Sequence, residues 1–105
     1  MLTDQLREQI ENTIKSNKIV IYMKGSQQQP MCGFSGRSVS ILQSYGQPIK
    51  DFNILADDNL RNGIKEFTNW PTIPQIFING EFVGGCDIIT EMHENGELKE
   101  LLKQS

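Results

Sequence analysis

Residues Lys18–Lys24 read KIVIYMK, and the loop after them, Gly25–Met31, runs GSQQQPM into Cys32-Gly33-Phe34-Ser35. The first segment is short, β-branched and aromatic, the pattern of a buried strand. Gly25, Ser26 and Pro30 are loop residues and stop it. From Gly33 the pattern changes period. Phe34, Ile41 and Tyr45 fall on one helical face, Val39 and Leu42 widen it, and Gly46 offers a stop. A strand therefore hands over to a helix through a loop that ends in a cysteine. Upstream, Thr3 or Asp4 can cap a helix bearing Leu6, Ile10 and Ile14 that ends near Asn17. Downstream, Ile49–Ile54 is a second strand. Asp57 or Asp58 then caps a helix bearing Leu60, Ile64 and Phe67.

Two prolines in Trp70-Pro71-Thr72-Ile73-Pro74 forbid a helix there. Gln75–Asn79 is a third strand, Asn79-Gly80 a hairpin turn and Glu81–Val83 the return strand. Gly84-Gly85 breaks the chain. Asp87 then caps a helical stretch with Ile88, Ile89 and Met92, which Gly96 interrupts before Leu98, Leu101 and Leu102. The order α-β-α-β-α-β-β-α predicts an α/β fold. Its first two strands pair in parallel through a right-handed crossover, and its last two form a hairpin. The result is a four-stranded mixed sheet with helices on both faces.

The 105 residues suit a single domain spanning 1–105. The 37% hydrophobic and 22% charged content is that of a packed globular chain, not a disordered one. A net charge of −3 and a pI near 5.0 argue against a nucleic-acid surface, which needs excess Lys and Arg. The longest apolar run, Ile19–Met23, is far below the roughly 18 residues of a membrane span. The opening MLTDQLREQIENTIK carries acids and no apolar core, unlike a secretory or transit segment. These features predict a cytoplasmic protein.

Cys32 and Cys86 are the only cysteines. Without an export signal they read as thiols, not as a disulfide. With His93 as the single histidine, a four-ligand zinc site built by this chain alone is disfavoured. Burial is the commonest fate of a cysteine. Cys32, however, ends a polar loop where Gly33 opens a helix. Unpaired N–H groups and the positive end of the helix dipole favour its thiolate. Ser35 stands where a dithiol motif would carry its second cysteine, and a hydroxyl cannot resolve a mixed disulfide. Cys32 is thus left two uses, a mixed disulfide or a bond to a metal.

Ile73, forced extended by the proline after it, can present its backbone to an extended peptide, although Trp70–Pro74 also reads as a plain turn. The Ile73–Pro74 bond is a candidate cis bond. Gly84-Gly85-Cys86-Asp87 opens a helix whose free N–H groups could take a carboxylate. Asp87 is either a simple cap or an acceptor for a ligand ammonium. Cys86 reads as a packed thiol. Lys24, Arg61 and Lys65 are surface cations in an acidic chain, and His93 is a surface residue.

Taken together, Lys24-Gly25, Met31-Cys32-Gly33-Phe34-Ser35, Trp70-Pro71-Thr72-Ile73-Pro74-Gln75, Asn79-Gly80 and Gly84-Gly85-Cys86-Asp87 resemble the monothiol glutaredoxins of the CGFS type, in order and over nearly the whole chain. The resemblance implies a thioredoxin-like fold with Pro74 cis. It implies bound glutathione. Lys24 and Arg61 would hold its glycine carboxylate, the Ile73 backbone would pair with its cysteine, and Cys86 N–H and Asp87 would hold its γ-glutamyl end. It also implies a [2Fe-2S] cluster bridging a homodimer, with Cys32 as this chain's metal ligand. Such a cluster takes about four thiolates; two would be copies of Cys32 and two would come from glutathione, leaving Cys86 out. Cluster transfer to iron–sulfur acceptor proteins is then the leading function, with a BolA-type regulatory partner and a role in iron or redox homeostasis. The alternative is a glutathione-dependent oxidoreductase with Cys32 as catalytic nucleophile, slow in turnover because Ser35 replaces the second thiol.

Overall fold

β1 (Ile19–Met23) is buried at every position, and its alternate side chains feed two different cores. A computed structural model describes residues 2–103. Ile19, Ile21 and Met23 face one side of the sheet, and Val20 and Tyr22 the other. The period-2 geometry of a strand explains this: when both sheet faces are covered, apolar residues are needed at consecutive positions. The sheet order is β2-β1-β3-β4, with β2 at Lys50–Asn53, β3 at Gln75–Ile78 and β4 at Glu81–Gly84. β1 pairs in parallel with β2 and antiparallel with β3; β3 and β4 form the hairpin. Asn79 and Gly80, at φ 54° and 83°, make its two-residue turn. Both angles are positive, which Asn-Gly tolerates best.

α1 (Asp4–Ser16) and α3 (Asp58–Thr68) cover one face through Ile10, Ile14 and Ile64. α2 (Gly33–Gln43), α4 (Cys86–Asn95) and α5 (Glu97–Lys103) cover the other through Val39, Leu42, Ile89, Leu98 and Leu102. No helix among the described residues is long and apolar enough to cross a membrane. Thr3 caps α1, its hydroxyl accepting from Leu6 N at 3.1 Å, and Asp57 caps α3, its carboxylate accepting from Leu60 N at 3.1 Å.

Three local expectations are corrected. Ile54 leaves β2 and begins a single 3₁₀ turn, Ile54–Ala56, where Asn53 Oδ1 accepts from Leu55 N at 3.0 Å. Asp87 does not cap the fourth helix. Gly85 is its N-cap, and Asp87 sits in the first turn. Phe34 does not join the buried face of α2. That face is Ser35, Ser38, Val39 and Leu42, while Phe34 is 63% exposed. Small serines let the start of α2 lie close against the sheet, and Ser35 Oγ accepts from Lys24 N at 3.1 Å.

Candidate functional site

The strand register gathers the candidate residues at one end of the sheet. Met23 lies opposite Asn53, Tyr22 opposite Gln75, and Ile76 opposite Gly84. The exits of β1, β2 and β4 and the entrance of β3 therefore share that end. The loop after β1 is closed at its base by the Gly25–Pro30 bridge and by Met31 N donating to Lys24 O at 2.9 Å. Asn53 Oδ1 holds it from the side, accepting from Gly25 N at 2.9 Å, and Gln27 N donates to Asp51 Oδ2 at 2.9 Å. This pinned loop delivers Cys32 to the N-cap of α2 in extended geometry.

Cys32 is half-buried and free. Its thiol is held below the ordinary value, first by the backbone N–H of Ser35. Partial burial opposes the shift; Phe34 N–H, the Lys24 charge and the Ser35 hydroxyl add to it. Cys32 thus sits at a helix start, where nearby N–H groups favour the thiolate without a side-chain capping bond. Ser35 itself is fully buried, which removes it from any exchange chemistry at the surface. Alkylation of Cys32 is expected to reach half its maximal rate below pH 9.0, the ordinary thiol value, and to return to that value in denaturant. Because the fold favours the thiolate, the stability Cys32 contributes is complete above the unfolded value. It is lost as pH falls through the lowered one. Lys24→Gln should move the midpoint up only slightly, since backbone donors lead the shift.

Phe34, two residues after Cys32, and Trp70 wall a groove of about 190 Å³. Ile73, Pro74, Cys86 and Asp87 also line it. Among the described residues, no other backbone group bonds the Ile73 N–H or C=O. The Ile73–Pro74 bond is cis. The start of α4 carries no side-chain cap, so its first N–H groups have no side-chain acceptor, and Asp87 in its first turn is exposed. Gly85 fits closely there; a Cβ would lie 3.1 Å from Pro74 O, a tight contact.

The structure brings Ile73, Cys86 and Asp87 into the groove and sets Lys24 beside the Cys32 sulfur. It leaves Arg61 on the first turns of α3, outside the groove lining. Cys86 is 7% exposed, with its sulfur 3.9 Å from the Thr90 hydroxyl. Sequence reasoning assigned no role to Gln75. Its buried amide holds the Trp70–Thr72 loop; a lone polar residue at the mouth of the run Gln75–Ile78 is the signal that could have marked it.

Residues 19–83 match the Glutaredoxin family model. The chain belongs to the glutaredoxin family. This glutaredoxin is 54% identical over 101 residues to monothiol glutaredoxin-S15, mitochondrial, of Arabidopsis thaliana, an alignment that takes in 96% of this chain and 60% of that one. It is 50% identical over 103 residues to the probable monothiol glutaredoxin 2 of Rickettsia conorii, covering 98% and 96% of the two chains. The solution structure of reduced poplar apo GrxS14 superposes with a TM-score of 0.84 at 44% identity, covering 94% of this chain and 91% of that one. The expected thioredoxin-like architecture is therefore present, and the relatives named monothiol place this glutaredoxin among the single-thiol members. Ser35 accordingly stands in its motif where a second cysteine would be.

Proposed function

We propose that this glutaredoxin binds glutathione along the groove and carries a [2Fe-2S] cluster as cargo between proteins, with Cys32 as its own iron ligand. What carries this is the free, half-buried Cys32 thiol, shifted toward its thiolate and two residues before Phe34 in the wall of a groove suited to an extended, zwitterionic peptide. The free Ile73 edge suits the peptide backbone. The start of α4 suits one carboxylate and Asp87 the ammonium. Lys24, with Arg61 further out, supplies positive charge for the other carboxylate. A [2Fe-2S] cluster takes about four thiolates. One chain offers one, so a second copy of the chain and two glutathione thiols complete the set. A shell made half of diffusible peptide can come apart, which permits transfer to acceptor proteins, and a BolA-type protein could replace one copy.

The test is the visible spectrum of protein reconstituted without oxygen from iron and sulfide. A coloured dimeric species is expected only when glutathione is present. The same spectrum without glutathione overturns the proposal.

The lowered Cys32 thiol also favours a second reading, glutathione-dependent reduction of mixed disulfides. The Cys32 thiolate would attack the glutathione sulfur and release the protein thiolate. A second glutathione thiolate would then attack the Cys32–glutathione disulfide, freeing Cys32 and leaving oxidised glutathione. Rapid multiple turnover on a glutathionylated peptide would favour that reading over carriage.

A further inference from the structure

We propose, building on the glutathione reading of the groove, that Gln75 is the positioning residue that sets the peptide-binding edge at Ile73, acting through the carbonyls of Trp70 and Thr72. Gln75 opens β3, and its side chain is wholly buried. Its Nε2 donates to Trp70 O at 2.9 Å and to Thr72 O at 3.2 Å. Its Oε1 lies 2.8 Å from the Thr68 hydroxyl, whose single hydrogen is shared with Ile64 O at 3.0 Å, and the Thr68 oxygen accepts from Trp70 N at 3.2 Å. Trp70 is therefore tied at its N–H, which Lys65 O also accepts at 3.2 Å, and at its C=O, which only the glutamine holds among the described residues.

An amide has two donor hydrogens and one acceptor oxygen, and here each has a partner. No other side chain of this length supplies that set. Ionised glutamate has no donor and would face two carbonyls, leucine has neither donor nor acceptor, and asparagine is one methylene short. On the other side of Ile73, Pro74 O sits against Gly85. Ile73 is thus bracketed between two fixed residues while its own backbone stays free. An edge held in place before the ligand arrives reduces the ordering cost of binding. Trp70, 39% exposed and edge-on to Phe82 at 5.9 Å, is held as a groove wall by the same bonds.

The experiment titrates S-methylglutathione, which has no free thiol, into wild type, Gln75→Leu, Gln75→Glu and Thr68→Val. Losing the buried bonds should weaken Kd about tenfold in Gln75→Leu, more in Gln75→Glu and severalfold in Thr68→Val. The pH profile of Cys32 alkylation should stay in place, because that thiol is set at the start of α2. A general loosening of the fold would move both readouts together and would overturn the assignment, as would an unchanged Kd. If the Gln75 variants fail to fold, Thr68→Val decides by the same criteria. If wild type does not bind S-methylglutathione, the glutathione reading fails. The clamp is then judged by acrylamide quenching of Trp70 fluorescence: increased quenching in the folded variants supports it, and unchanged quenching overturns it.

Discussion

Cys32→Ser is expected to abolish the coloured species completely, and Cys86→Ser to leave it intact. A serine hydroxyl does not ionise near neutral pH and is a poor iron ligand, so the substitution removes this chain's whole contribution to the cluster. Cys86 differs from Cys32 by position, not by chemistry. Its sulfur is packed at 7% exposure in the first turn of α4 against Thr90, whereas Cys32 is half-buried at the start of α2 with its thiol lowered by Ser35 N–H. Alkylation should follow the same division. The fast-reacting thiol disappears in Cys32→Ser and persists in Cys86→Ser. Cluster absorbance surviving in Cys32→Ser would sink the ligand assignment. So would its loss in a Cys86→Ser protein that is still folded.

The elements of the fold were legible because each has a local cause. Ile19–Met23 is apolar at five consecutive positions, and only a strand covered on both faces needs that. Asn79-Gly80 and the prolines at 71 and 74 act through their own backbone restrictions, so they read correctly without knowledge of neighbours. What misread depended on tertiary context. Asp87 has the residue type of a cap, yet the helix takes Gly85, two residues earlier and close against Pro74 O, as its N-cap, and the Asp87 carboxylate is left in the groove lining. Ile54 has strand chemistry, but Asn53 captures the following N–H and turns the chain.

The site was legible in its reactive atom and less so in its supports. Cys32 announces itself by the glycine after it and the polar loop before it. Ser35 reads as an absence, a missing thiol, whereas in the structure it is a presence: its hydroxyl joins the end of β1 to the start of α2, and its N–H leads the stabilisation of the thiolate. Gln75 is similar. A single glutamine beside a hydrophobic strand is compatible with a solvent-facing edge. Only the position of the Trp70 and Thr72 carbonyls shows that it points inward.

Phe77→Ala should be the most destabilising of the substitutions considered, at about 4 kcal/mol, the usual cost of emptying a buried aromatic site. Against a total stability of about 5–15 kcal/mol this is a large share. Phe77 is 1% exposed at the centre of one core. Its ring meets Tyr22 at 5.8 Å, Phe67 at 6.2 Å and Phe82 at 5.4 Å. Tyr22 is itself stacked on Phe52 at 5.0 Å, and Phe82 carries the contact on to Trp70 at the groove. The three rings that meet Phe77 cannot shift together to refill the space, because each is fixed by a strand or helix backbone. Urea unfolding should show a lower midpoint with an unchanged slope. Phe34→Ala is the control that separates packing from composition. The same side chain is removed, from a position the helical period had assigned to a buried face, yet at 63% exposure its loss should change stability by no more than about 0.5 kcal/mol. A Phe34→Ala cost approaching that of Phe77→Ala would mean that Phe34 packs inward after all. The groove wall beside Cys32 would then need a different side chain.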